Sequence, residues 1–466
     1  MRESDAASPK QLSKNLRAAA NWLFLLALTV AMVYAALAAA TPIAQSHGSD
    51  RQRQLFSVLA FGVLGGTFWS YSIFHSSGTS QGDSRLRLLV FLIPTYGALQ
   101  VMPLPIAIVR FLSPMKAALS QALETTVATQ SWTPLSVTPS ETVYQSLVLA
   151  TCAILLCVVC ELKGQFLDSP WILAFPLILL GTSESVLGLI QSATLGNREA
   201  IGTFAVRNHY AGLLEMVFPF AVAYSFSPLI GPSKRWELGL PAVRACASAI
   251  CAVVILAAIV ESRSRMGFLG SCLGVIFVIG AVLSMMQSRR VIAWAATAIS
   301  LLVLLPLVPS TLLLLRFAQT NDQERVKVWF ETIALIKAYP LFGCGLGGYE
   351  SAFSMFKQSG ANIDQDYAHN DYLQYLSELG LFGFALAILL LTLIGSRVLT
   401  SLKHADTQYR LFGAACGASL LAIGLHSFVD FNLYVPVNLF TLAYVLGMAA
   451  NQRKCLKDGR QTFSLE

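Results

Sequence analysis

Apolar residues run through this chain in blocks of about twenty, separated by short stretches rich in Arg, Lys, Ser, Gly and Pro. A block of that length, wound as a helix, matches the roughly 30 Å hydrocarbon core of a bilayer. Hydrocarbon offers no partner to a bare backbone, so the blocks predict helices rather than open strands. Spans are expected near 19–41, 54–76, 86–111, 144–162, 170–192, 208–229, 241–260, 266–286, 291–315, 372–396, 410–430 and 432–452. The predicted fold is all-α, a polytopic membrane protein of about twelve transmembrane helices, the last two the least separable. Residues 1–18 and 453–466 form tails, 19–315 helices one to nine, 316–371 a large loop and 372–452 helices ten to twelve. "ALAAATPIAQS" (Ala36 to Ser46) resembles a signal-peptide cleavage region. The apolar core before it, Asn21 to Ala40, is longer than a signal core of about 7–15 residues, so an uncleaved helix is expected.

Composition supports that pattern: 55% of the 466 residues are hydrophobic, 12% are charged and the mean hydropathy is +0.62, outside the range of a soluble globular domain. Seven of the nine cysteines (152, 157, 160, 246, 251, 272 and 416) fall within predicted spans, Cys344 is alone in its loop and Cys455 lies in the tail. This spacing gives neither a disulfide framework nor a metal site. A net charge of +7 suggests nucleic acid at first sight, but in a membrane protein its distribution between loops carries the information. With the N-terminus inside, 19 of the 32 basic residues fall in cytoplasmic segments. Of the remaining 13, Arg316, Arg325, Lys327, Lys337 and Lys357 fall in the long loop, where the positive-inside bias carries less weight. Both termini are therefore expected in the cytoplasm.

The exceptions point to chemistry. Arg198 and Arg207 occupy one short outer connection, and Arg263 and Arg265 lie in another, "ESRSRMG" (Glu261 to Gly267). Any one of them could be a snorkelling boundary residue. Several on the side of the one large loop suggest an anion site. In that loop "NDQERVKVWFETIALIKAYP" (Asn321 to Pro340) places Val326, Phe330, Ile333 and Ile336/Lys337 near helical spacing, predicting an amphipathic helix on or near the membrane surface. "LFGCGLGGYESAF" (Leu341 to Phe353) follows, its glycines reading as a tight turn rather than a nucleotide loop, since no Gly-Lys-Ser/Thr follows.

Three outer helix mouths carry polar groups: "GTFAVRNHYAGLLE" (Gly202 to Glu215), "SRSRMGFLG" (Ser262 to Gly270) and "YAHNDYLQYLSELGLFGF" (Tyr367 to Phe384). Arginine's planar fork suits phosphate oxygens, and histidine exchanges protons near neutral pH. Guanidiniums beside a base fit a transfer reaction whose leaving group is a lipid pyrophosphate.

These three stretches, with the pattern His369-x-x-x-Leu373-x-x-x-x-Glu378-x-Gly380-x-x-Gly383, resemble the O-antigen ligase family, which includes related polysaccharide polymerases. The resemblance implies a GT-C type, metal-independent, inverting glycosyltransferase of a bacterial inner membrane, without a cofactor, taking its glycan from undecaprenyl pyrophosphate. The acceptor is a lipid A–core sugar in a ligase of lipopolysaccharide biosynthesis, or another lipid-linked repeat in a polymerase of the Wzy type. By position His369 matches the family histidine and Arg265 the Ser-Arg arginine. Arg207 matches less closely, because Val206-Arg207-Asn208 stands where the family often has Asn-x-Asn. His369, Arg265 and Arg207 are thus the catalytic candidates, with Arg263, Asn208, His209, Asn370, Arg316, Asp430 and His426 as substrate-binding candidates.

Plainer readings exist for each. His369 could cap a helix, although Asn370 or Asp371 could supply that cap and leave the imidazole free. His426 and Asp430 are one turn apart, giving either a His–Asp relay or a helix end before Pro436. Glu184 and Glu215 are intramembrane carboxylates that either serve function or pair with an arginine. Glu378 could orient a partner or pair with an arginine. A secondary transporter or flippase of polyprenyl-linked glycans is the alternative class. Against it, the halves do not match and the polar groups cluster at one face.

Overall fold

The computed structural model describes residues 19, 21–30, 58, 60, 62–67, 70, 84–124, 131–165, 169–194, 199–230, 239–285, 323–357 and 366–450. The expected span at 291–315, the tails, Arg198 and Arg316 lie outside them. The described helices are α1 (Asn21–Val30), α2 (Ser84–Val101), α3 (Ile106–Leu112), α4 (Pro114–Glu124), α5 (Pro139–Gln165), α6 (Ala174–Thr194), α7 (Arg207–Ser225), α8 (Leu240–Glu261), α9 (Arg265–Met285), α10 (Gln323–Ala338), α11 (Tyr349–Phe353), α12 (Asp371–Ser401), α13 (Thr407–His426) and α14 (Pro436–Ala450). Among the described residues five helical stretches are long and apolar enough to cross a membrane: Pro139–Leu162, Pro170–Thr194, Leu240–Glu261, Arg265–Met285 and Asp371–Ser401.

Three of the expected spans differ in the described residues: 86–111, 372–396 and 410–430. The apolar run 86–111 stops being helical at Val101, because Pro103 and Pro105 remove two donors from the next turn. The chain instead forms β1 (Leu104–Pro105), antiparallel to β2 (Trp132–Thr133), before the short α3. Helices eleven and twelve prove separable: α13 closes at His426 and α14 opens at Pro436, leaving the polar turn 427–435 between them.

Helix α7 is the hub. Every residue from His209 to Tyr224 is buried, as expected of a helix surrounded by others. It packs against α8, α9 and α13. Gly270 shows how closely: a Cβ built there would lie 2.6 Å from Glu215 Oε2 on α7 and 3.1 Å from the Ala422 carbonyl on α13. Small residues at such crossings let backbones approach inside a membrane.

Helix α12 is broken. At Gly380 (φ 62°, ψ −172°) the backbone leaves helical geometry, which strands carbonyls and amides of the flanking turns. Protein groups satisfy them. The carbonyl of Ser377 accepts from Cys344 N at 2.9 Å and that of Glu378 from Gly345 N at 3.1 Å, while Leu381 N and Phe382 N donate to Pro340 and Leu341 carbonyls. From α2, Tyr96 Oη donates to the Leu379 carbonyl at 2.7 Å. Gln100 Nε2 donates to the carbonyls of Phe342 and Glu378, and its Oε1 accepts from Leu346 N. The glycine-rich loop 341–348 is thus a plug in the broken helix, the arrangement under which non-helical backbone is tolerated at membrane depth. Burial pushes the Cys344 thiol well up, so it packs there as an apolar side chain.

Glu378, fully buried, belongs to this plug. Its carboxylate accepts from Gly347 N at 2.6 Å, from the Tyr434 hydroxyl, and from Gln374 Nε2 at 3.4 Å. Three donors offset the desolvation of one carboxylate. Glu378→Ala leaves those donors stranded, at about 1–3 kcal/mol for each buried group left unsatisfied. Thermal unfolding of the detergent-solubilised variant is expected to fall well below both wild type and Glu378→Gln, which keeps one acceptor.

Candidate active site

One end of the bundle collects the polar groups: the starts of α7, α9 and α12, the turn after α13, and α10 from the large segment. Its centre is Asp430, 2% exposed. Asp430 accepts from Asn208 Nδ2 at 2.6 Å and from Phe431 N at 2.9 Å. Three imidazoles surround it: His209 Nε2 at 3.7 Å, His369 Nδ1 at 3.8 Å and His426 Nε2 at 3.9 Å. His209 and His426 are buried, whereas the His369 side chain keeps 34% of its surface exposed. Among the three, His369 alone presents its far edge to the outside.

Local structure fixes that ring. His369 adopts φ 49°, the left-handed region that most side chains avoid. Its neighbours hold it there. Asn370 caps α12, its Oδ1 accepting from Leu373 N at 3.1 Å, so the cap falls to Asn370 and the imidazole is not used for it. Ala368 donates its N–H to Gln374 Oε1 at 2.9 Å, and its carbonyl accepts from Trp329 Nε1 at 3.1 Å. Asp371 N donates to the Ser427 carbonyl at 2.9 Å, tying the start of α12 to the turn that carries Asp430. Phe431 then packs its ring against His209 and His369 at centroid distances of 4.6 and 5.0 Å and stacks on Tyr367 at 4.1 Å.

The stretch expected to form an amphipathic helix is α10, and two of its side chains reach the site. Trp329 holds the carbonyl before His369, and four residues earlier Arg325 Nη1 donates to the Val429 carbonyl at 3.0 Å, the residue before Asp430. In the sequence Arg325 is only one of the loop cations. Its place on the face shared with Trp329, at i and i+4, was the available signal.

The remaining candidates divide. Arg263 (φ 56°) and Arg265 sit half-buried in the α8–α9 turn and at the start of α9, at the same end as His369. Arg207 opens α7 and forms an ion pair with Glu199. Glu184 holds Thr203 through its backbone N–H at 3.0 Å and its hydroxyl at 2.9 Å, a loop-fixing role. Glu215 faces His426 at 3.0 Å. His426 and Asp430 are therefore part of one cluster, as well as a helix end. Among the described residues no group of three or more His, Cys, Asp and Glu is placed to hold a metal ion.

Chemically the cluster offers a partly exposed imidazole backed by a buried carboxylate, with guanidiniums at the same end. A multi-helix membrane protein with a histidine–aspartate pair at one helix mouth is the class this fold and site define. Residues 250–388 match the family model described as O-antigen ligase, the family its motifs resemble. A search of curated proteins found no match. The matched stretch contains Arg263, Arg265, Arg325, His369 and Asn370 and ends before His426 and Asp430. That match supports a ligase- or polymerase-type function of a glycosyltransferase-like class.

Proposed function

We propose that the protein is an O-antigen ligase-like, inverting glycosyltransferase at the periplasmic face of a bacterial inner membrane, with both termini cytoplasmic. It moves a polysaccharide from undecaprenyl pyrophosphate to a sugar hydroxyl of lipid A–core. The observation that carries this reading is His369, whose Nδ1 faces buried Asp430 at 3.8 Å while its ring edge remains exposed. Backed by that carboxylate, His369 takes the proton from the acceptor hydroxyl through Nε2. The hydroxyl oxygen attacks the anomeric carbon of the donor, the carbon–oxygen bond to pyrophosphate breaks, and undecaprenyl pyrophosphate leaves. Arg207, Arg263, Arg265 and Arg325 supply the positive charge that the leaving group needs, a role guanidiniums fill without a metal ion. Asn208, His209, Asn370 and Asp430 shape the site around the base, and Arg316 belongs with the loop cations.

An apolar cavity of about 310 Å³ supports a lipid-borne donor. It runs between α2, α5, α12, α13 and α14, with Ile93, Cys152, Leu391 and Leu446 on its walls and Asp371 and Ser427 at its polar end beside the site. Part of a polyprenyl tail lying there would have its polar head at the end formed by Ser427 and Asp371, the latter two residues along the chain from His369.

The test is direct. Purified protein is incubated with a lipid-pyrophosphate glycan and offered either lipid A–core or a second donor molecule. Extension of lipid A–core supports the ligase, and extension of the second donor makes the protein a Wzy-type polymerase. Movement of the donor across a bilayer with no new glycosidic bond would overturn both in favour of a flippase. Within this reading Trp329→Phe, which removes the donor to the Ala368 carbonyl but keeps an aromatic ring, is expected to lower kcat roughly tenfold, the weight of about one hydrogen bond. Unchanged kcat in steady-state transfer assays would show that α10 does not position His369.

A further inference from the structure

Behind Asp430 lies a second pair that the proton transfer itself does not touch. His426 ends α13 and Glu215 lies in the middle of α7, both fully buried. His426 Nδ1 meets Glu215 Oε1 at 3.0 Å, and its Nε2 points to Asp430 Oδ2 at 3.9 Å. The ring is thus set between two carboxyl groups, hydrogen-bonded to Glu215 through Nδ1 and facing Asp430 through Nε2 beyond hydrogen-bond distance. Other ionisable groups face this region: Asp371 from α12, whose carboxylate is set against Leu433 N, and His209 from α7. α9 closes the third side through Gly270, where any side chain would collide with Glu215. The helices press together to seal a carboxylate–imidazole–carboxylate row away from lipid. Packing alone gives no reason for it, since apolar side chains of similar volume serve a buried core as well or better than ions.

We infer that Glu215 and His426 are positioning residues of the transfer reaction, a buried pair that holds the Asp430 carboxylate in the orientation from which it serves His369. The row runs Glu215, His426, Asp430, His369, from the interior of α7 to the exposed ring. His426 faces Asp430 at Oδ2 while His369 faces Oδ1, and Glu215 fixes the His426 ring. No proton leaves the inner pair during turnover. When His369 takes the acceptor proton and becomes a cation, a carboxylate already aimed at Nδ1 stabilises it without reorganisation.

This inference rests on the proposed transferase reading, and the experiment separates the two. Wild type, His426→Asn, Glu215→Gln and the double variant are compared in the purified transfer assay, with KM for the lipid-linked donor and the thermal midpoint measured for each. Asparagine can still donate towards Glu215 but stops short of Asp430, and glutamine keeps the acceptor for His426 Nδ1 without its charge. Each single variant is expected to lose about tenfold in kcat, the size of one coupled buried interaction, with KM within about twofold of wild type. The double variant is expected to be no slower than His426→Asn, because Glu215 acts through His426. Losses that multiply in the double variant, losses confined to KM, or wild-type kcat in either single variant would overturn the inference while the transferase reading stands. If His426→Asn does not accumulate, the near-isosteric Glu215→Gln decides: lowered kcat at unchanged KM and thermal midpoint supports the inference, and unchanged kcat overturns it. A wild type that makes no glycosidic bond overturns both readings.

Discussion

His369→Ala is expected to lower glycan transfer by about 10²–10⁴-fold, the usual weight of a general base, while the protein still accumulates in the membrane. The structural half of that expectation follows from what His369 does not do. Asn370 caps α12, Trp329 and Gln374 hold Ala368, and Asn208 with Phe431 N keeps the Asp430 carboxylate satisfied. The ring is one-third exposed, so its removal opens no sealed cavity. Alanine carries the same Cβ as histidine into the left-handed backbone at φ 49°, so the substitution adds no new clash there. Membrane yield, monodispersity and thermal midpoint should therefore match wild type while the transfer assay goes silent. Normal transfer by this variant would remove His369 from the chemistry. An equal collapse of stability would make it a structural residue.

Gly380→Ala should fail in the opposite way, before any chemistry is reached. At φ 62° and ψ −172° the residue occupies a region open essentially to glycine alone, which costs another residue about 1–3 kcal/mol. The added Cβ would also lie 2.4 Å from Gly343 N and 2.5 Å from the Leu341 carbonyl, both backbone atoms with no rotamer to yield. Either α12 straightens or loop 341–348 undocks. In both cases the carbonyls of Ser377 and Glu378 and the amides of Leu381 and Phe382 lose their partners at membrane depth, where water cannot replace them. Low membrane yield and a large drop in thermal midpoint are expected. Gly395→Ala, in the same helix with nothing within 4 Å of the new Cβ, is the matched control and should be neutral or slightly stabilising. A Gly380→Ala protein as stable as that control would show that the plug is dispensable.

Sequence served well wherever one physical rule dominated. The spans at 144–162, 170–192, 208–229, 241–260 and 266–286 correspond closely to described helices, because hydrocarbon thickness and backbone satisfaction leave few choices. The amphipathic stretch became α10 for an equally local reason, its periodicity and terminal proline. His369 was legible from its motif, and Asn370 as the cap from its residue type. Reading failed where two distant segments had to meet. Nothing in the apolar run after Tyr372 announces that α12 breaks at Gly380, since the break depends on a loop more than thirty residues earlier. Arg325 looked like one loop cation among several until α10 brought it to the Asp430 turn.

The amino-acid order by itself determined a helical membrane protein, the positions of most of its described spans, and a histidine motif at a helix mouth. These depend on length, periodicity and residue type along a continuous stretch. Tertiary structure decided that Asp430 stands at the centre of three imidazoles drawn from α7, α13 and the segment before α12, with Glu215 behind them. That arrangement depends on how helices far apart in sequence pack, and on close approaches such as the one Gly270 permits. Local pattern carries no record of them.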